Sequence, residues 1–79
     1  MKVVRSIKQM IYKSLTKREK DVLNYVVAGH SNSEIARLLF LCEGRIGTVI
    51  GNLYDKYFID SEPKRVKLVL KRLMEMKMI

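Results

Sequence analysis

The sequence predicts an all-α domain: four core helices preceded by a basic amphipathic helix. Three observations carry that reading. Apolar residues recur three and four positions apart through most of the chain, the spacing that gathers them on one side of an α-helix. Two runs, Thr16-Lys17-Arg18-Glu19 and Ser31-Asn32-Ser33-Glu34, have the S/T-x-x-E form of a capping box, in which a hydroxyl and a carboxylate each satisfy a backbone N–H at a helix start. The chain also holds a single proline and little of the strict alternation that marks strands.

Residues 2–14 form the amphipathic helix. Val3, Ile7, Met10 and Ile11 share a stripe, with Lys2, Arg5, Lys8 and Lys13 mostly off it. Such a helix packs on its own domain or on a partner subunit. Lying on a membrane is the other use of a basic amphipathic helix, but this one is short and lacks large aromatics on its apolar side. Residues 15–79 form the domain proper. Leu15 precedes the Thr16 cap as a hydrophobic staple. Val22, Leu23, Val26 and Val27 give the first core helix its apolar face, and Ala28-Gly29 ends it, glycine being the natural left-handed stop. The second helix starts at the Ser31 cap and buries Ile35, Ala36, Leu38 and Leu39, Ala36 being small enough for a close helix crossing. Phe40-Leu41-Cys42 makes an apolar turn. The third helix, 43–57, places Ile46, Val49, Ile50, Leu53 and Tyr57 on one side, and Phe58-Ile59 follows as a buried elbow. Asp60-Ser61-Glu62-Pro63 starts the last helix, with an acid in the first turn and proline where a missing N–H does no harm. That helix runs over 62–76 with a Val66/Val69/Leu70/Leu73 stripe.

Composition narrows the function classes. With 79 residues the chain buries only about 60–65% of its unfolded surface, so its core is modest and dimerisation would help it. A single cysteine excludes an internal disulfide and fits a reducing compartment. One His and one Cys are too few for a zinc site, and no metal or other cofactor is expected. No apolar run approaches the ~20 residues of a membrane span, and Lys2, Arg5 and Lys8 interrupt any signal-peptide core. The expectation is a soluble cytoplasmic protein. Paired carboxylates, a nucleophile–base pair and a phosphate-cradling loop are all missing, so it is not read as an enzyme. Net charge is +8, which suggests a polyanionic partner. The charge is unevenly placed: +6 over residues 1–20, −2 over 21–60 and +4 over 61–79.

The third helix is the unusual one. Opposite its apolar side lie Gly44, Gly47, Thr48, Gly51 and Asp55. Each glycine costs about 0.8–1 kcal/mol in a helix relative to alanine. A short helix, a turn of three or four residues and a second helix with a smooth outer face match the helix-turn-helix pattern.

Residues 15–61 resemble the LuxR/GerE-type DNA-binding domain of bacterial transcription regulators. The residues that carry the resemblance are Leu15-Thr16-Lys17-Arg18-Glu19, Val22-Leu23, Gly29, Ser31-Asn32-Ser33-Glu34-Ile35-Ala36, Leu39-Phe40, Glu43, Asn52 and Lys56. The resemblance implies a four-helix domain whose third helix enters the major groove of double-stranded DNA. Such domains often form a homodimer through the fourth helix, a role the Val66, Val69, Leu70 and Leu73 stripe suits. Packing of that stripe on the domain's own core is the alternative. The sequence departs from the family where Thr, Lys and His are usual: these positions hold Arg45, Gly47 and Val49. The usual serine cap of this helix is Cys42, and thiols cap poorly.

Within that frame Arg45 has the reach and fork for guanine O6 and N7, or for a phosphate. Thr48 would touch a thymine methyl. Gly44, Gly47 and Gly51 would let backbone approach base edges closely. Lys17, Arg18, Asn52, Lys56, Lys64 and Arg65 would contact phosphates, which position a protein without specifying sequence. The blander readings are a solvated Arg45, a glycine face under no demand, an inert Cys42 and His30 as a surface loop residue. No sensing domain fits ahead of Leu15, so control would come from abundance or a partner. The competing reading is a protein-interaction module that keeps the fold and pairs with another regulator. The −2 charge of residues 21–60 and the missing lysine at position 47 motivate it.

Overall fold

The computed structural model describes residues 11–77. Among them are four long helices and no strand: α1 (Lys17–Val27), α2 (Asn32–Leu39), α3 (Glu43–Lys56) and α4 (Lys64–Lys77). Most of the expected amphipathic helix 2–14 lies outside the described residues; residues 11–13 are helical, and Ile11 and Tyr12 pack half-buried against the core.

Local chemistry explains the boundaries. At α1 the Thr16 hydroxyl accepts from the Glu19 N–H at 3.1 Å while Glu19 Oε1 accepts from the Thr16 N–H at 2.9 Å. At α2 the Ser31 hydroxyl and Glu34 carboxylate make the same exchange at 3.2 and 2.9 Å. Both capping boxes are therefore complete. Gly29 stops α1 at φ +96°, a conformation that only glycine adopts without strain. Cys42 stands at the cap of α3 and makes no side-chain cap bond, as expected of a thiol. The start of α4 falls later than the sequence suggests, because the Glu62 carboxylate accepts from the Lys64 N–H at 3.1 Å and so caps the helix there.

The core is one cluster. Val22, Leu23 and Val26 of α1, Ile35 and Ala36 of α2, and Ile46, Val49, Ile50 and Leu53 of α3 meet Tyr57, Leu68 of α4, and Leu15 and Ile59 from the connections. The middle helix of the sequence, α3, is also the middle of the packing, lying against α1 and α2 and more lightly against α4. Its whole expected apolar side, Ile46, Val49, Ile50, Leu53 and Tyr57, is buried.

Three expectations are corrected. Phe58 is not part of a buried elbow: it is 79% exposed at φ +58°, and only Ile59 turns inward. Leu38 is 48% exposed rather than buried; α2 is short and its core contacts are complete with Ile35, Ala36 and part of Leu39. The Val66/Leu70/Leu73 stripe does not pack on the domain's own core, these residues being 54%, 53% and 41% exposed, and only Val69 is partly covered. The side of α4 that meets the core carries Leu68 and Glu75 instead.

Candidate nucleic-acid interface

The capping box of α1 and the outer face of α3 together build one groove. It is lined by Thr16, Arg18, Glu19, Arg45, Thr48, Val49 and Asn52. The buried side of α3 fixes the helix against α1, so the two arginines from distant parts of the chain come to share one depression. Arg45, Thr48 and Asn52 are exposed, as are Gly44 and Gly47, while Gly51 is half-buried. The Thr48 hydroxyl donates to the Gly44 carbonyl at 3.1 Å, so its proton is spent within the helix. An added Cβ at Gly44, Gly47 or Gly51 would meet nothing within 4 Å. The fold itself therefore does not require these glycines.

The groove is polarised along α3. Arg18 and Arg45 make its N-terminal end positive, whereas the exposed Asp55 and Asp60 flank a second depression with Tyr54, Phe58 and Ile59 at the other end. The first groove is also lined by Glu19, whose Oε1 accepts from Lys56 Nζ at 2.8 Å while still capping α1. Burial alone would push the Glu19 carboxyl up. The hydrogen bonds from Lys56 and Thr16, together with the Lys56 charge, outweigh it and hold the group below its ordinary value.

The expected phosphate-binding residues do not form one set. Arg18 and Asn52 line the groove. Lys17 opens α1 with its ammonium 3.6 Å from Asp21 and its side chain 91% exposed. Lys56 is engaged by Glu19. Arg65 is turned inward: it donates to Asn32 Oδ1 and to the His30 carbonyl, both at 2.7 Å, and so ties α4 to the start of α2. Lys64 sits with its ammonium 5.8 Å from the Tyr54 ring centre. Of the expected dimer residues, Val66, Val69 and Leu70 line a shallow apolar groove with the Arg65 stem.

Sequence reasoning missed the polar anchor of α4. The Tyr57 hydroxyl donates to Glu75 Oε1 at 2.6 Å, and Arg72 Nη1 lies 3.3 Å from the same oxygen. Burial, and then the hydrogen bond to Glu75, push the Tyr57 hydroxyl well above its ordinary value, so it stays a neutral donor. Glu75 and Arg72 read as surface residues by type. The available signal was Leu68, an apolar residue one helical turn ahead of Arg72 and two ahead of Glu75.

Among the described residues, no group of His, Cys, Asp and Glu side chains could hold a metal ion, and no helix is long and apolar enough to cross a membrane.

The chain matches the GerE family model, bacterial regulatory proteins of the luxR family, over residues 13–69. It is 42% identical over 52 residues to the CsgBAC operon transcriptional regulatory protein of Escherichia coli and to a probable csgAB operon transcriptional regulatory protein of Salmonella typhimurium. In each case the match covers 66% of this chain and 24% of the relative. An uncharacterized transcriptional regulatory protein of Bacillus subtilis, YhcZ, is 49% identical over 45 residues, covering 57% of this chain and 21% of that protein. The chain thus spans about a quarter or less of the length of these curated relatives. No solved structure matches it. The family match takes in both capping boxes, all of α3 and the first turns of α4, and the chain belongs to the luxR family of bacterial regulatory proteins.

Proposed function

We propose that this chain is a cytoplasmic transcription regulator whose domain, residues 15–79, binds double-stranded DNA as a homodimer. In this reading α3 is the recognition helix and α4 is the dimer interface. The observation that carries the proposal is the groove in which Arg18 and Arg45 share one wall with the exposed outer face of α3. Among the described residues neither arginine is in a salt bridge with an acid, so both guanidinium groups are free to meet the phosphates of a duplex. Affinity then comes mainly from phosphate contacts at Arg18, Lys17 and Asn52. Specificity comes from Arg45, from Thr48 and from close backbone approach at Gly44, Gly47 and Gly51.

A second reading has its own support. Lys56 and Arg65 are engaged inside the domain, Asp55 faces outward, and α4 offers an apolar stripe. These features suit a module that pairs with another regulator protein. Binding to random duplex DNA across a salt series separates the two. A phosphate-binding domain loses affinity linearly in log salt, with a slope of about −0.9 per contact. No binding at low salt, together with a protein partner that survives nuclease treatment, overturns the first reading in favour of the second.

A further inference from the structure

We infer that Tyr12, Arg72, Glu75 and Tyr57 form a clasp that positions α4, and that release of Tyr12 changes how the outer face of α4 is presented. The first half stands on the geometry of the clasp; the second rests on the proposed role of α4 in dimerisation.

The packing of α4 is unusual for a helix at the edge of a small core. Within it only Leu68 is a fully buried apolar residue. Its C-terminal half is held by polar groups. Glu75 is 2% exposed and shares Oε1 between the Tyr57 hydroxyl at 2.6 Å and Arg72 Nη1 at 3.3 Å. Lys71 Nζ donates to the Tyr57 carbonyl at 2.7 Å. The Arg72 guanidinium carbon lies 3.5 Å from the centre of the Tyr12 ring, well inside the range of a cation–π contact. The Tyr12 hydroxyl reaches across to Asn24 Oδ1 of α1 at 3.3 Å, and Lys20 Nζ lies 5.4 Å from the same ring. One aromatic side chain therefore bridges α1 and α4.

Its position makes it a lid. Arg72 Nε and Glu75 Oε2 are both buried without a hydrogen-bond partner among the described residues. Buried groups in this condition gain hydrogen bonds as soon as water reaches them. While Tyr12 covers the guanidinium the pair stays enclosed and α4 stays docked. When Tyr12 leaves, Arg72 can turn to solvent and Glu75 keeps only Tyr57. The opposite side of the same helix carries Val66, Leu70 and Leu73, with Met74 and Met76 beside them. Moving α4 by its polar side must move its apolar side, because a helix is a rigid element at this length. Whatever pulls on residue 12 thus changes how that apolar stripe is presented.

The test is amide hydrogen exchange of the full chain, at a dilution where it sediments as a monomer, comparing Tyr12→Ala, Tyr12→Phe and the unaltered protein. Tyr12→Ala should raise exchange of residues 68–77 by about tenfold or more, while amides at Val22, Leu23, Ile46 and Ile50 change less than about twofold. Tyr12→Phe keeps the ring and should stay within about twofold of the unaltered protein throughout. Arg72→Lys keeps the charge for Glu75 but loses the planar guanidinium. It should reproduce the selective effect if Tyr12→Ala does not fold. Equal acceleration in all four helices, or none in α4, overturns the clasp. Sedimentation at higher concentration tests the second half: Tyr12→Ala should weaken self-association several-fold. If the unaltered chain never associates, the dimer reading fails while the exchange result still decides the clasp.

Discussion

Arg45 and Arg65 have the same side chain and different work. Arg45 stands exposed on the outer face of α3 beside Arg18, Thr48 and Asn52; Arg65 spends its guanidinium on Asn32 and the His30 carbonyl. Their alanine variants should separate cleanly. Arg45→Ala should leave thermal stability unchanged and relax DNA preference at one base position by about 1–3 kcal/mol, read by selection of preferred duplexes. Arg65→Ala should destabilise the fold by about 2 kcal/mol, since two hydrogen bonds from a charged group are lost, and should leave the salt dependence of binding untouched. Glu19 supplies a pH dependence. Its carboxyl is held below its ordinary 4.5 in the folded protein, so its contribution is complete above that value and fades as the pH falls through the lower folded value. Thermal unfolding followed into the acid range should therefore show a loss that Glu19→Gln reduces, because glutamine keeps a cap acceptor without the charge.

At the scale of the element, α3 combines a fully committed inner side with an outer side that gives stability away. Its three glycines meet open space, so Gly47→Ala should raise stability by about 0.8–1 kcal/mol. If bare backbone approaches base edges, the same change should weaken duplex binding, and thermal melts with binding isotherms on one variant should move in opposite directions. Unchanged affinity would mean that the glycine face touches nothing. Helix α4 is the reverse case. Its inner side reads polar by residue type yet is buried through Arg72, Glu75 and Tyr57, while the stripe that reads as core lies outside. The two left-handed phenylalanines, Phe40 and Phe58, end α2 and α3 where glycine or asparagine is the usual choice, and both are exposed.

For the whole molecule, the balance is between a small core and an uncovered helix. A single cluster of about a dozen apolar side chains is a modest core for a chain this short, and covering Val66, Leu70 and Leu73 in a dimer would add to it. Leu70→Glu should abolish concentration dependence of the melting temperature, since association stabilises by mass action. It should leave the monomer's own stability nearly unchanged, because Leu70 is already 53% exposed. Weakened duplex binding by the same variant would link the dimer to DNA. Equal melting behaviour of both proteins at all concentrations would count against α4 as the dimer face.

The sequence by itself determined the four helices between Lys17 and Lys77, the capping boxes of α1 and α2, the Gly29 stop, the inner side of α3 and the family. All of these rest on neighbours within a few residues, where periodicity and hydrogen-bonding chemistry act directly. Which of the basic residues face outward was not legible. Lys56 and Arg65 have partners 37 and 33 residues away, and a long cationic side chain serves a carboxylate in its own fold as readily as a phosphate. The inner side of α4 was hidden for the same reason: Arg72 and Glu75 become buriable only once folding brings Tyr12 and Tyr57 to them. Local pattern fixes where a helix forms, but which of its sides turns inward depends on partners that only the tertiary structure assembles.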